Sequence, residues 1–287
     1  MKIYFVLVFI YTLNICSAAT LPDQRKLLTC KVGVERRYSI CYIENQKVDS
    51  EGFTIDGKPN PKVESLVFRF NKAVKFLPEN VAESFPKLLE YKTLKVGLKF
   101  VGGKFFKGLN ELNYLSLEES QIETISSDAF KDLIKLQFLR LPANKIKFVD
   151  PKWFKTMPNL QSLLLSSNEI ESLEEKTFEN LTGLRLITLN DNKLTSVADK
   201  LFKNNLNLVW IGLHDNQIRT LNPTSFDHLV DLQHMDLRFN VCVDRVYEKT
   251  LRQRKYLTHL ISDMSHDLEN CKSLNTSLDH LCREYLA

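Results

Sequence analysis

The sequence predicts an α/β solenoid, a curved stack of repeats with a parallel β-sheet on its concave side. The first observation is a constant step of 24 residues, at which leucine recurs along the middle of the 287-residue chain. The second is that each of these leucines opens a frame close to LxxLxLxxNxLxxL. A fixed period in this range is typical of supersecondary units that fold only against their neighbours. The leucines are Leu112, Leu136, Leu160, Leu184, Leu208 and Leu232.

Residues 1–19 have the pattern of a secretory signal peptide. Lys2 precedes the apolar run Ile3–Ile15, and Ser17, Ala18 and Ala19 supply the small residues that cleavage needs. The run is shorter than the roughly 20 residues that span a bilayer, and no second run of that length follows. We therefore expect a secreted, extracellular protein without a membrane span, with an uncleaved anchor as the alternative.

Two caps are expected, because the cysteines lie only outside the regular ladder. In the N-terminal cap, residues 20–62, Cys30 and Cys41 bracket a segment that suits a small disulfide-closed hairpin, and a turn-rich stretch then leads into the array.

The repeat array is predicted to occupy residues 63–240. In each repeat the LxL piece alternates in burial and predicts a short strand, and the later apolar positions turn the chain back along the convex side. A column of phenylalanines predicts a packed spine, with an exposed aromatic stripe as the alternative. These are Phe130, Phe154, Phe178, Phe202 and Phe226.

An asparagine column follows the strands, at turns where a side-chain amide can bond with backbone groups that would otherwise be unpaired. Ser120 occupies the first place, so the ladder should be weakest there. The asparagines are Asn144, Asn168, Asn192, Asn216 and Asn240.

Upstream of Leu112 the register allows two readings. We prefer a longer repeat opening at Val63, followed by a shorter one with Tyr91 and Leu94 in its strand. The alternative carries the 24-residue step back to Leu88, which puts Thr93 where a strand leucine belongs. Either reading gives roughly seven or eight units, enough for the array to curve into an arc.

The C-terminal cap, residues 241–287, has apolar residues at helical spacing from Val246 to Leu268. A short coiled-coil seam with another chain is the alternative, because a seven-residue step also joins apolar positions. These positions are Leu257, Met264, Cys271, Leu278 and Tyr285.

The pairing of the C-terminal cysteines stays open. Cys242 with Cys271 is the preferred disulfide, but Cys242 with Cys282 and Cys271 with Cys282 remain possible. Five cysteines survive signal cleavage, so an unpaired Cys282 could join a disulfide-linked homo- or heterodimer. The N-glycosylation sequons at Asn180 and Asn275 predict a glycoprotein, with the Asn180 site off the concave face.

The concave face is the predicted working surface, because the residues between the strand leucines point to it. Exposed aromatics beside arginine are typical of protein-binding hot spots, although ordinary solvated positions are the alternative. The candidate ligand-binding residues are Tyr114, Phe138, Arg140, Trp210, His214, Asp215, His234, Asp236, Arg238 and Phe239.

Other function classes receive no support. The 39 basic and 35 acidic residues are spread without a polybasic block, which does not indicate nucleic acid or an anionic membrane as partner. HExxH and CxxC spacings, a serine nucleophile elbow and a phosphate-binding glycine loop are all missing. We expect no enzyme activity, cofactor or metal.

Leu112 to Asn240 resembles the typical extracellular leucine-rich repeat family, with its LxxLxLxxNxLxxLxxxxFxxLxxL unit. The Cys30/Cys41 cap, the stretch from Leu77 to Leu88 and the exit at Cys242 are most similar to insect secreted repeat proteins, such as the mosquito leucine-rich immune proteins. Those proteins circulate in haemolymph, join through disulfides and coiled coils, and hold complement-like proteins. Here the tail is short and lacks a long coiled coil and a double-cysteine motif.

The resemblance implies recognition or scaffolding in humoral innate immunity through the concave face. The alternative is an extracellular adhesion or developmental signalling protein, or a soluble decoy of a Toll-like receptor.

Overall fold

The computed structural model describes residues 26–35, 38–44, 46–243, 245–248 and 265–267. The predicted signal peptide, the sequon at Asn275, the coiled-coil seam, Cys271 and Cys282 all lie outside these residues. Nothing further is said of their structure.

The described chain is a solenoid of short strands, as predicted. The strands are β1 (Lys26–Leu28), β2 (Lys31–Glu35), β3 (Tyr38–Ile43), β4 (Phe53–Ile55), β5 (Val63–Arg69), β6 (Glu90–Leu94), β7 (Phe100–Val101), β8 (Tyr114–Glu118), β9 (Thr124–Ile125), β10 (Phe138–Arg140), β11 (Ser162–Leu164), β12 (Leu186–Thr188), β13 (Trp210–Gly212), β14 (His234–Asp236) and β15 (Val246–Glu248).

Eleven of these strands form one sheet, in the order β15-β14-β13-β12-β11-β10-β8-β6-β5-β3-β2. Pairing is parallel from β3 to β14 and antiparallel at both ends, where β2 joins β3 and β15 joins β14. Two smaller parallel pairs, β1 with β4 and β7 with β9, lie outside it. The sheet carries the predicted concave face.

Turns rather than long helices form the opposite side of each coil. The helical elements there are α1 (Val81–Ser84) and two 3₁₀ helices, Pro151–Phe154 and Pro223–Phe226. Asp150 and Asn222 cap the two 3₁₀ helices by accepting backbone N–H groups, and a proline follows each cap.

The phenylalanine column is a buried spine, which confirms the core interpretation and excludes the exposed stripe. Successive rings lie about one strand spacing or slightly more apart: Phe178 and Phe202 stack at 6.0 Å between ring centroids. Trp153 wedges between Phe130 and Phe154, with ring centroids 6.1 and 6.2 Å away. The spine therefore ties each repeat to the next through aromatic contact.

The asparagine column bonds as predicted. The Asn192 carboxamide oxygen accepts the Ile170 N–H at 3.0 Å, and its amide nitrogen donates to the Leu165 and Leu189 carbonyls at 3.0 Å each. Each side chain thus connects adjacent repeats. The Ser120 hydroxyl donates only to the Glu118 carbonyl, at 3.2 Å, so it bonds fewer backbone groups.

The residue before each of these positions has left-handed backbone geometry. The φ angle lies between 46° and 57° at eight non-glycine residues, spaced 24 residues apart except for one step of 25. They are Phe70, Lys95, Glu119, Ala143, Ser167, Asp191, Asp215 and Phe239.

Our preferred register upstream of Leu112 is wrong. Tyr91 pairs with Leu115 and Thr93 pairs with Leu117, so the 24-residue step continues back through β6. Thr93 is fully buried in the place of a leucine, whereas Leu94 is only half-buried. The longer repeat begins earlier, because Leu66 of β5 pairs with Tyr91 at a step of 25.

The N-terminal cap contains the predicted disulfide-closed hairpin. Cys30 and Cys41 are bonded, with Cα atoms 5.5 Å apart, and β2 and β3 form the antiparallel pair. Cys41 is buried against the core. Because β3 also runs parallel to β5, the cap supplies a coil of its own before Val63.

At the other end, β15 covers the last repeat strand. The Tyr247 hydroxyl donates to Asp267 at 2.9 Å, and Arg245 lies 3.6 Å from the same carboxylate, which ties β15 to a helical turn at 265–267. Cys242 is disulfide-bonded. The predicted partner Cys271 lies outside the described residues.

Candidate functional site

Strand pairing brings the predicted concave column together. Phe138 pairs with Tyr114 on one side and Ser162 on the other, Leu186 follows, and Trp210 pairs with Leu186 and His234. Ser162 divides the column, leaving an aromatic pair at one end and a larger apolar cluster at the other.

The larger group, which we call the C-terminal cluster, is Leu186, Trp210, His214, His234, Arg238 and Phe239. The Trp210 indole and the His234 imidazole stack with ring centroids 3.6 Å apart and planes 13° apart. Trp210 remains 40% exposed and Phe239 62% exposed, so both present apolar surface. A preformed aromatic stack loses little side-chain freedom on binding.

Two ion pairs lie beside this stack. The His214 Nδ1 atom lies 2.7 Å from the Asp215 carboxylate. Arg238 donates to Asp236 from Nη2 at 2.7 Å and from Nε at 3.0 Å. This two-pronged pair holds the guanidinium against the sheet.

Asp236 itself departs from the prediction, since it is only 4% exposed and faces Arg238 rather than solvent. Burial disfavours its charge, but hydrogen bonds from the Arg238 side chain and backbone, with the charges of Arg238 and His214, hold its pKa below the usual range. Asp236 therefore positions Arg238 instead of contacting a ligand.

The smaller aromatic pair is Tyr114 and Phe138, whose ring centroids are 6.1 Å apart. Burial raises the pKa of Tyr114. Beside it the Arg140 Nε atom donates to Glu118, and the Ser116 hydroxyl donates to the same carboxylate at 2.7 Å. Burial opposes ionisation of Glu118, yet these hydrogen bonds and the charge of Arg140 lower its pKa.

Sequence reasoning missed the far end of this face. Arg69 lies over the Tyr42 ring at 4.8 Å and Lys92 lies over the Tyr114 ring at 5.1 Å, both by cation–π contact. The strict step counted back from Tyr114 gives Glu90 correctly, but the 25-residue repeat before it displaces the next strand by one position. That displacement hid Arg69 and Tyr42.

Asn180 lies away from the sheet, between β11 and β12, and is half-buried. Its neighbours Phe178 and Leu181 point into the core. A glycan there would leave the concave face open, as predicted.

Within the described part of the chain, no group of three or more histidine, cysteine or acidic side chains is placed to hold a metal ion. Among the same residues, no helix has the length and apolarity to cross a bilayer.

Two solved structures share this architecture. The structure of a TLR13–ssRNA13 complex is 21% identical with a TM-score of 0.54, over 76% of this chain and 33% of that chain. The leucine-rich repeat domain of APL1 is 19% identical with a TM-score of 0.54, over 75% and 49% respectively. At these identities the likeness concerns the fold, and this chain spans a third to a half of the length of those structures.

No curated protein matches the sequence as a whole. The Leucine rich repeat family matches residues 95–146, 135–194 and 182–241, which together span just over half of the chain. These segments contain the asparagine ladder, the phenylalanine spine and the strands of the C-terminal cluster. The chain therefore belongs to the leucine-rich repeat family.

Proposed function

We propose that this chain is a secreted, non-enzymatic binding protein that recognises a protein ligand on its concave face, in recognition or scaffolding during humoral innate immunity. The single observation that carries the binding role is the Trp210–His234 stack beside Arg238 and Phe239. Tryptophan and arginine on a preformed surface dominate protein-binding hot spots. Members of this family generally act as protein-interaction modules.

The charge pattern favours a protein over a nucleic acid. TLR13 is bound to single-stranded RNA in its structure, which makes RNA the natural competing ligand. On this concave face, however, Lys92, Arg140 and Arg238 are each paired with a carboxylate. Phosphate binding requires rows of cations without such partners, so alternating charge suits a protein surface better.

The immune role is supported by two lines of resemblance. The sequence features that resemble mosquito leucine-rich immune proteins are joined by a structural likeness to the APL1 repeat domain. The disulfide-bonded Cys30, Cys41 and Cys242 suit an oxidising, extracellular compartment.

Affinity capture from haemolymph tests the binding surface. Bait proteins would be wild type, Trp210→Ala, and Phe148→Ala, which removes an aromatic that is 57% exposed outside the concave strands. We expect the Trp210 variant to lose about ten-fold or more of any specific partner, because hot-spot truncations cost at least about 2 kcal/mol. The Phe148 variant should retain it. Equal capture by all three baits would contradict the proposal.

A disulfide-linked dimer is a separate part of this proposal and rests on the odd number of cysteines left after signal cleavage. Wild type should migrate as a dimer without reductant and as a monomer with it, and Cys282→Ser should migrate as a monomer in both. Monomeric wild type without reductant would rule out the covalent dimer while leaving the concave-face proposal intact.

A further inference from the structure

We propose that a pocket at the N-terminal end of the concave face binds a carboxylate-bearing segment of a protein ligand, with Arg69 as the anion-binding group. This N-terminal pocket is lined by Ile40, Tyr42, Val67, Arg69, Lys92, Thr93, Leu94, Tyr114, Ser116 and Glu118. It rests on the proposed protein-binding role and adds to it a second contact point, several strands from the C-terminal cluster.

The pocket walls are two cation–aromatic pairs. Arg69 of β5 lies 4.8 Å above the Tyr42 ring of β3, and Lys92 of β6 lies 5.1 Å from the Tyr114 ring of β8. Each ring holds the stem of its cation along the sheet and leaves the charged head at the surface. The walls are thus ordered before any ligand arrives.

The charges around the pocket are satisfied with one exception. Lys92 bonds Glu90 at 2.6 Å, Arg140 bonds Glu118, and Glu44, which directly follows β3, pairs with Lys31 at 3.5 Å. Arg69 is the one lining cation that has no ion pair within the described ranges of the chain. Its guanidinium is exposed, so its donors can reach a ligand.

This arrangement selects the kind of anion. A guanidinium presents parallel N–H donors that match the two oxygens of a carboxylate, and stacking on Tyr42 already fixes the plane of that fork. Glu90 and Glu118 lie close by and would repel a dense polyanion such as a nucleic acid backbone. One unpaired cation between two carboxylates therefore suits a single negative charge.

The rest of the pocket is suited to an apolar side chain next to that carboxylate. Ile40, Val67 and Leu94 form its floor, and the two tyrosine rings stand at its sides. Its volume of about 270 Å³ is below the range of about 300 to 1,000 Å³ that encloses drug-sized ligands. One or two side chains of a docked peptide would fill it.

The chemistry can be tested with small probes on the full-length protein. N-acetyl-L-leucine carries the proposed carboxylate and apolar group, and N-acetyl-L-leucinamide is its neutral isostere. Methyl-group NMR titrations would follow Val67 and Leu94. We expect millimolar binding of the carboxylate, about ten-fold tighter than the amide, because a charge-assisted pair is replaced by a neutral one.

Arg69→Met keeps most of the aliphatic stem, removes the charge and should abolish the preference for the carboxylate. Arg185→Met, at an exposed arginine on the side of the solenoid, is the matched control and should keep that preference. Unchanged methyl spectra at distant repeats would show that both variants remain folded.

Several results would overturn the proposal: no shift at Val67 and Leu94 with either probe, equal affinity for the two probes, or an unchanged preference in Arg69→Met. None of these results bears on Trp210. If the probes fail while the Trp210 variant still loses its captured partner, the pocket is refuted and the proposed function stands. If Trp210→Ala captures normally while the probes bind selectively, the reverse holds.

Discussion

The repeats before and after Leu112 join their coils in different ways. From Asn144 to Asn240, a side-chain amide bonds three backbone groups across each junction. At the same place in the two preceding repeats stand Val96, which has no polar side chain, and Ser120, which makes a single bond.

The N-terminal repeats compensate by close backbone approach. A Cβ atom added to Gly97 would lie 2.1 Å from the Lys72 carbonyl oxygen, a distance that no side chain tolerates. In the next repeat the corresponding residue is Gln121, which is exposed. Glycine therefore permits a contact where the amide ladder is missing.

The two regions also differ in the polar atoms buried by their strands. In the N-terminal repeats the Ser65, Tyr91 and Thr93 hydroxyls are buried without a hydrogen-bond partner, and burial raises the pKa of Tyr91 well above its usual value. The comparison teaches that regular repeats maximise satisfied backbone bonds, whereas departures from the repeat coincide with a pocket. Departures of this kind are often found at functional sites.

The largest expected effect is loss of an amide from the regular ladder. Asn192→Ala removes the partners of the Ile170 N–H and of the Leu165 and Leu189 carbonyls. Leaving buried backbone groups unpaired costs about 1 to 3 kcal/mol each, so we expect destabilisation of about 3 kcal/mol or more. Urea unfolding followed by circular dichroism would measure it. A loss below about 1 kcal/mol would show that the ladder is not what holds these repeats together.

The next effect concerns the close approach that replaces the ladder. Gly97→Ala forces the backbone of two repeats apart and should cost about 2 to 3 kcal/mol, as overpacked cores do. Gln121→Ala is the matched control one repeat later and should be nearly neutral. If both variants unfold at the same urea concentration, Gly97 does not compensate for the missing amide.

Restoring the ladder should have a smaller and opposite effect. Ser120→Asn places an amide at a position that is already buried, within reach of the carbonyl column, and should stabilise the protein by about 1 kcal/mol. The readout is the shift of the urea midpoint with an unchanged slope. A destabilised variant would mean that these N-terminal repeats have no room for the amide.

The smallest effect separates the two ends by pH. The pKa of Asp236 is lowered in the folded protein, so its contribution to stability is present above the unfolded pKa and is lost as pH falls through the folded value. We expect the wild type to lose up to about 1 kcal/mol from this pair below pH 4, a typical value for a partly exposed ion pair. Asp236→Asn and Arg238→Gln should lose less on acidification. A parallel loss in all three proteins would contradict this assignment.

Much of the fold could be predicted because it depends on local periodicity. The strand leucines, the phenylalanine spine and the asparagine ladder each follow from one step, and so does the column from Tyr114 to His234. A constant step also assigns every residue to a face of its strand.

The parts that could not be predicted depend on departures from that step. Thr93 fills a leucine position because its neighbours, not its own hydrophobicity, bury it. One additional residue in the repeat that starts at Val63 moved Arg69 out of the column to which it belongs. Asp236 is buried because Arg238 lies across it and β15 pairs beside it, and neither contact can be read from the period.

The constant pairing of the sheet makes the protein a molecular ruler. Tyr114 on β8 and Trp210 on β13 are four strand spacings apart, or about 19 Å at about 4.8 Å per parallel neighbour. A partner that touches both the N-terminal pocket and the C-terminal cluster must therefore match a distance fixed by the number of repeats. Removing residues 160–183 would shorten that distance by one strand and leave the chemistry at each end unchanged.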